Sequence, residues 1–388
     1  MKKIKKALRL NTLVSILLML SITVFYAGCS KGEGIDEVVD EVVDEVIDSE
    51  NSSEQDKLVV ENKMESFMSC MENLESGQFS QLLLDIYDNV ENDNTSYHDD
   101  LSEAFSDLNI AQVFEGLNYP YDLFDFSNHT GTYIYNDALG TWITESANNV
   151  VEILFPIFTN SASNDLEIRL SDVTQEFIEV IDEGIYIPTS LVLDVFYNSE
   201  RVFGINIKNV KYEIQDEIPV PTDIDIVIYT NPFTHEIKID RINSKYFSVH
   251  YSLDNGSGCA TEIKSDIELL SSDYENLEDK DIKSISGYIL INDLKFEYDG
   301  NMEYLLGLDD PTTSQINNYV DLSVLENNTK IGELKLIEET DGDYSVVMVF
   351  MDGTEVGLKD FEGIGFEGEY LIDRIEGIIS RYTNRLDE

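Results

Sequence analysis

Phe203-Gly204-Ile205-Asn206-Ile207-Lys208-Asn209-Val210-Lys211-Tyr212-Glu213-Ile214 carries most of what the chain says about its architecture. Phe203, Ile205 and Ile207 alternate with polar or small residues, and so do Val210, Tyr212 and Ile214, but the phase slips by one at Lys208-Asn209. Period two marks a strand with one buried face. A β-bulge at the slip adds one residue, which returns both halves to the same face, so a long bent strand is predicted.

The same period extends outward through Ile224, Ile226 and Ile228; Ile237 and Ile239; Phe247, Val249, Tyr251 and Leu253; and Ile263, Ile267 and Leu269. The opposite phase holds Glu236, Lys238 and Asp240, then Glu262, Lys264, Asp266 and Glu268. A sheet with one solvated face is expected to pair antiparallel. Turn signals stand at Asn198-Ser199-Glu200, Asn231-Pro232, Asp254-Asn255-Gly256, Asp299-Gly300, Asp341-Gly342 and Asp352-Gly353, several of them the Asp-Gly type that favours tight hairpins. Strands so joined predict a meander or an open half-barrel. The acidic stretch Ser271 to Lys283 reads as a sub-boundary, and Thr313 to Tyr319 as a short helix.

Upstream, the apolar spacing becomes helical. Val60, Met64, Phe67, Met68 and Met71, then Phe79, Leu82, Leu83, Ile86 and Tyr87, then Leu101, Phe105, Leu108, Val113 and Phe114 fit three short helices within 57–120. Breaks at Glu75-Ser76-Gly77 and Asn92-Asp93-Asn94 separate them, with Ser76 and Ser96 or Asp93 available as caps. At the far end Leu371, Ile375, Ile378, Ile379, Tyr382 and Leu386 trace one stripe, a helix covering the sheet. The expected fold class is thus α+β, mainly β: N-terminal helices, then an antiparallel β domain over 121–388 with a C-terminal covering helix.

The first residues read as an address. Lys2, Lys3, Lys5, Lys6 and Arg9 precede an apolar run from Leu13 to Phe25, the layout of a signal peptide over 1–28. A membrane-spanning helix needs roughly 20 apolar residues, and this run is shorter. Tyr26-Ala27-Gly28-Cys29 resembles the lipobox of bacterial lipoproteins, with Tyr26 where that box usually has Leu. The resemblance implies lipidation of the Cys29 thiol, with anchorage durable once two or more acyl chains are attached. Residues 29–56, with the repeats Asp36-Glu37-Val38-Val39, Asp40-Glu41-Val42-Val43 and Asp44-Glu45-Val46-Ile47, form an acidic low-complexity tether.

Lys+Arg number 25 against 77 Asp+Glu, a net charge of −52. That field repels phosphate backbones, which argues against nucleic acid as a partner. It also repels an anionic bilayer surface, leaving the lipid as the tether. Cys70 and Cys259 are the remaining cysteines. They would pair only in an oxidising compartment, and their segments differ in character, which argues against a bridge.

Residues for chemistry are sparse. His98, His129, His235 and His250 lack metal-ligand spacing, and His235 shares the phase of Ile237 and Ile239 as a satisfied core or rim histidine would. Gly256-Ser257-Gly258 lacks the spacing of a nucleophile elbow. Asp223 with Asp225 and Asp341 with Asp343 are carboxylate pairs a calcium ion would accept, but such pairs arise by chance in so acidic a chain. No cofactor and no metal is expected. Trp142, Tyr133, Tyr135, Tyr119 and Tyr121 are candidates for a carbohydrate platform, though core packing explains them more simply.

Gly131-Thr132-Tyr133, Tyr135, Thr141-Trp142, Phe155-Pro156 and Val349-Phe350-Met351-Asp352-Gly353-Thr354, taken with the lipobox, resemble uncharacterised lipoproteins of Bacteroidota. The resemblance implies an outer-membrane location, on the surface or periplasmic face, and no established activity. The leading expectation is a non-catalytic module that binds or carries a ligand or protein partner outside the cytoplasm. A deep apolar cavity between sheet and helices would mark a carrier. A groove holding two carboxylates, one with a raised pKa, would mark a glycan hydrolase, and neither feature would mark a structural or adhesion component.

Overall fold

The computed structural model describes residues 52–75, 77–82, 125–136, 138–146, 149–157, 163–180, 183–215, 218–274, 276–277, 279–308, 311–338 and 344–361. The expected signal peptide with Cys29, the tether up to residue 51, most of the second and third helices, the closing helix, Tyr119, Tyr121, His98 and the Asp341/Asp343 pair lie outside them. The fold is mainly β, as the alternation requires, with sixteen strands among the described residues. These belong to two compact units.

One unit spans 70–260 with 271–277. It holds β1 (Gly131–Asn136), β2 (Thr141–Glu145), β3 (Val150–Phe155), β4 (Leu166–Val180), β5 (Glu183–Tyr197), β6 (Glu200–Gln215), β7 (Ile218–Thr230), β8 (Phe233–Asn243) and β9 (Tyr246–Asp254). Their order is linear, β2-β1-β3 and then chain order, so the sheet does not close into a barrel. The long bent strand is β6. Its register with β7 jumps between Ile207 and Asn209, leaving Lys208 as the extra residue of a bulge. Ile205, Ile207 and Val210 then stand opposite Ile228, Ile226 and Ile224, one apolar face across the bend. The row continues through His235, Ile237 and Ile239 on β8 to Leu253, Tyr251 and Val249 on β9. At the other end of this sheet Tyr135, Val151, Ile153, Phe155, Leu166, Leu170 and Val202 build its main core, with Trp142 packed against it.

Two expectations about this sheet change. β1 pairs β3 in parallel, Tyr133 beside Ile153, where antiparallel pairing was expected throughout. Period two is the same in either chain direction, so the pattern carries no information on polarity. Cys70 and Cys259 do form a disulfide, with Cα atoms 5.7 Å apart, in a buried cluster with Phe233 and Leu253. The difference in local character proves irrelevant, because a helix end and a hairpin loop meet over the same apolar sheet face. Hairpin chemistry is otherwise as read: Asn198 and Ser199 take φ of 51° and 67° in the two-residue β5–β6 turn, which suits the twist of the strands it joins.

The second unit holds 261–270 and residues from 278 onward, together with the chain up to Ser69. Its strands are β10 (Ala260–Leu269), β11 (Ile282–Ile291), β12 (Leu294–Asn301), β13 (Val320–Glu326), β14 (Thr329–Glu338), β15 (Tyr344–Phe350) and β16 (Glu355–Gly357), paired antiparallel in chain order. The helix α1 (Ser52–Glu75) begins within the expected tether and five residues before the expected Lys57. It buries Val60 and Met64 and pairs Lys63 with Asp293 at 2.8 Å. Beyond α2 (Met302–Leu305), the expected short helix is α3 (Thr313–Tyr319), started by a capping box in which Thr312 and Gln315 bond each other's backbone.

Asp299-Gly300 is not a turn. Both residues lie inside β12, opposite Ser286 and Ile285 on one side and Asp321 and Val320 on the other. With partners on both sides the chain stays extended, and the turns fall instead at Asn292-Asp293 and Asn327-Asn328, where asparagines adopt positive φ.

Gly287 on β11 has a different constraint. A Cβ there would collide with the backbone carbonyl of Lys264, whereas a Cβ at Gly300 would meet only ordinary contacts, the nearest being the Met302 sulfur at 3.4 Å. Tyr298, opposite Gly287, fills the space: its hydroxyl donates to the Lys264 carbonyl at 2.9 Å and bonds the Ser265 hydroxyl. Gly287→Ala is expected to lower unfolding stability by about 1–3 kcal/mol, the usual penalty of overpacking, with Gly300→Ala close to neutral. Urea unfolding midpoints of the two variants measure the contrast.

Candidate functional site

The polar phase of the 70–260 sheet is a ladder of charges arranged by register. Asp225 stands opposite Lys238, and Val227 opposite Glu236. Lys208, the bulged residue, brings its ammonium within 3.5 Å of Asp225 and 4.0 Å of Glu236, while Lys238 reaches Glu236 at 3.2 Å. The Glu236 hydrogen bond and charge hold the Lys238 ammonium above its ordinary pKa. Asp223 accepts from Asn209 at 2.5 Å and Lys211 at 2.9 Å. The Asp223/Asp225 pair is thus served by lysines of the neighbouring strand.

Where this ladder meets the β7–β8 and β9–β10 turns, a groove of about 450 Å³ opens, lined by Pro232, Thr234, Glu236, Ser252, Asp254, Asn255 and Gly256. Cross-strand pairs build it: Thr234 opposite Asp254, and Glu236 opposite Ser252. Its lining is hydroxyl, amide and carboxylate, suited to hydrogen-bonding a polar ligand. Tyr229 occupies the same row as Thr234, and Arg201 lies 4.7 Å over its ring while pairing with Asp194 at 2.6 Å. Gly204 permits this, since a Cβ there would collide with the Arg201 guanidinium and stand 2.8 Å from the Asp194 carboxylate. No motif announces Arg201; only register brings it to Tyr229, and the lone Gly204 in a β-rich run was the available sign.

The other unit has a groove of its own, about 360 Å³, with Lys264, Asp266, Ser286, Glu297, Asp299 and Asp321 among its lining. Asp266, Ser286, Asp299 and Asp321 form one cross-strand row. The Tyr288 hydroxyl donates to Glu262 at 2.5 Å. Burial, that hydrogen bond and the charges of Glu262 and Asp266 push the Tyr288 pKa up to about 12.

The residues weighed for catalysis do not converge on either groove. His235 is half-buried, bonded to the Thr230 hydroxyl at 2.8 Å and the Tyr251 hydroxyl at 2.9 Å, on the apolar face. Tyr135 and Trp142 pack edge to face at 5.2 Å within the core. Tyr133 donates to the His129 carbonyl at 2.8 Å, and Ser257 sits in the β9–β10 loop. Among the described residues the carboxyl whose pKa is raised, by burial and the neighbouring Asp352, is Asp56 in the first turns of α1, outside both groove linings. Asp352 itself is held low, chiefly by the Thr354 backbone N–H and then by the hydroxyls of Thr354 and Ser53. Among the described residues no three His, Cys, Asp or Glu side chains assemble as a metal site, and no helix is long and apolar enough to cross a membrane.

Burial lowers the His235 pKa below its ordinary 6.5. Unfolding therefore takes up a proton once the pH falls below 6.5, and the fold loses stability from there down to the lowered folded value. The fall in urea midpoint between about pH 7.5 and about pH 5.5 is expected to be smaller in His235→Gln than in the unaltered protein.

No protein-family model, no curated protein and no solved structure matches this chain.

Proposed function

We propose that the chain is an exported, lipid-anchored binding module of the cell envelope, held at the outer membrane by diacylglycerol on Cys29 and presenting the polar face of its β1–β9 sheet to a hydroxyl-rich ligand such as a glycan. The observation that carries the reading is the groove at the turn end of that face. Its lining offers Thr234, Ser252 and Asn255 as donors and acceptors, while its carboxylate Glu236 is already neutralised by Lys208 and Lys238. With Glu236 paired to lysines and the Asp254 carboxylate held by the Gly256 N–H as a further acceptor, the lining suits an uncharged ligand rich in hydroxyls, which displaces only water. Binding therefore leads over chemistry: the raised carboxyl and the histidine with a lowered pKa both lie elsewhere.

Export is supported independently by the Cys70–Cys259 disulfide, which persists only where thiols are not kept reduced. With those two sulfurs joined, Cys29 is the remaining thiol for acylation.

Two measurements test the reading. Cys29→Ser is expected to move the protein from the membrane fraction to the soluble one; a variant that still sediments with membranes removes the anchor from the account. Calorimetric titration of the purified protein with polysaccharide fractions of its own envelope is expected to show binding without shortening of the chains. Thr234→Ala combined with Ser252→Ala should weaken that binding about tenfold, a loss of roughly 1.4 kcal/mol from two hydrogen bonds. Release of reducing ends would make the protein a hydrolase instead, and absence of binding would remove the glycan.

A further inference from the structure

Asn255-Gly256 occupies the β9–β10 loop with a carboxylate and two backbone N–H donors placed around it. The Gly256 backbone N–H donates to the Asp254 carboxylate at 2.7 Å. The Asn255 side-chain oxygen accepts two backbone N–H groups, from Ser257 at 2.9 Å and from Cys259 at 3.2 Å. The Asn255 N–H is in turn anchored to the Cys259 carbonyl at 3.1 Å. Gly256 takes φ of +71°, a conformation open to glycine, and has no Cβ to shield its nitrogen.

We propose that Asn255-Gly256 is a self-modifying site, at which the folded loop drives cyclisation of Asn255 and its conversion to aspartate and isoaspartate. The Gly256 nitrogen attacks the side-chain amide carbon of Asn255 and forms the new C–N bond as its proton passes to Asp254. That carboxylate already sits within the reach a general base requires. The carbonyl oxygen of Asn255 becomes an oxyanion held by the Ser257 and Cys259 N–H groups, donors aimed where negative charge develops. The intermediate collapses by expelling the side-chain nitrogen, which takes the proton from Asp254 and leaves as ammonia. A five-membered succinimide remains. Water opens it at either carbonyl, giving aspartate or a backbone rerouted through the side chain. No oxidant, metal or second protein enters the balance.

Asn255 lines the groove, so the reaction exchanges a neutral amide for a carboxylate beside Asp254 and lengthens the chain by one backbone atom just before Cys259 in the isoaspartate form. The modification is independent of what the groove binds.

Incubation of the purified protein in warm neutral buffer, followed by intact mass and fragmentation of the peptide carrying residue 255, reads the reaction directly. A species lighter by one ammonia should appear first and then gain one water, with both aspartate isomers at 255. The fold should accelerate the step about tenfold over the same chain unfolded in urea, and Asp254→Asn should slow it by a similar factor, less than the roughly 100-fold at which the contribution of a fully aligned base begins. Asn255→Gln should give no such product. A rate in the fold equal to or below that in urea, or one indifferent to Asp254→Asn, overturns the proposal.

Discussion

Cross-strand register is the constraint on which the rest of this molecule depends. With side chains alternating at period two, a shift of one residue would send every isoleucine of a strand to the solvated face and every lysine to the core. β6 faces that hazard in mid-strand, because its two apolar runs are out of phase. The extra residue at Lys208 resolves it. The same residue then contributes its ammonium to the acidic face, between Asp225 and Glu236. One insertion thus serves packing on one side of the sheet and charge balance on the other.

Charge balance matters because carboxylates outnumber cations about threefold. An exposed ion pair stabilises by no more than about 1 kcal/mol. Here the relevant comparison is different, since carboxylates of adjacent strands stand directly opposite one another, Asp223 facing Asp240 and Asp299 facing Asp321. Like charges so placed are destabilising. Lys211 relieves the first of these by pairing with Asp223; elsewhere Lys264 pairs Asp266, Lys283 pairs Glu268, and Lys330 and Lys335 share Glu333, whose carboxyl they hold below its ordinary pKa.

Much of this is legible from residue order because it is local. Alternation marks β6 to β10, Asn198-Ser199 marks the β5–β6 turn, and α3 spans the residues expected of it. What depends on encounters distant in the chain is not legible. Parallel pairing of β1 with β3 leaves no trace in the pattern of either. Asp299-Gly300 reads as a turn until strands on both sides are known. The contact of Cys70 with Cys259 and the placement of Arg201 over Tyr229 are facts of register, which a motif search does not see. Thr234 and Ser252, central to the groove, carry no signature at all, being ordinary solvated strand residues until turns on either side make a hollow of them.

The disulfide has a topological corollary. Sulfur joins residues 189 positions apart, so nine strands and their turns form a covalent ring with a tail at each end. A protease that cuts once anywhere inside that ring releases nothing: the two ends stay attached through the bridge, and the broken chain gains only the water of hydrolysis. A nicked copy and an intact one therefore remain the same size until a reductant separates them.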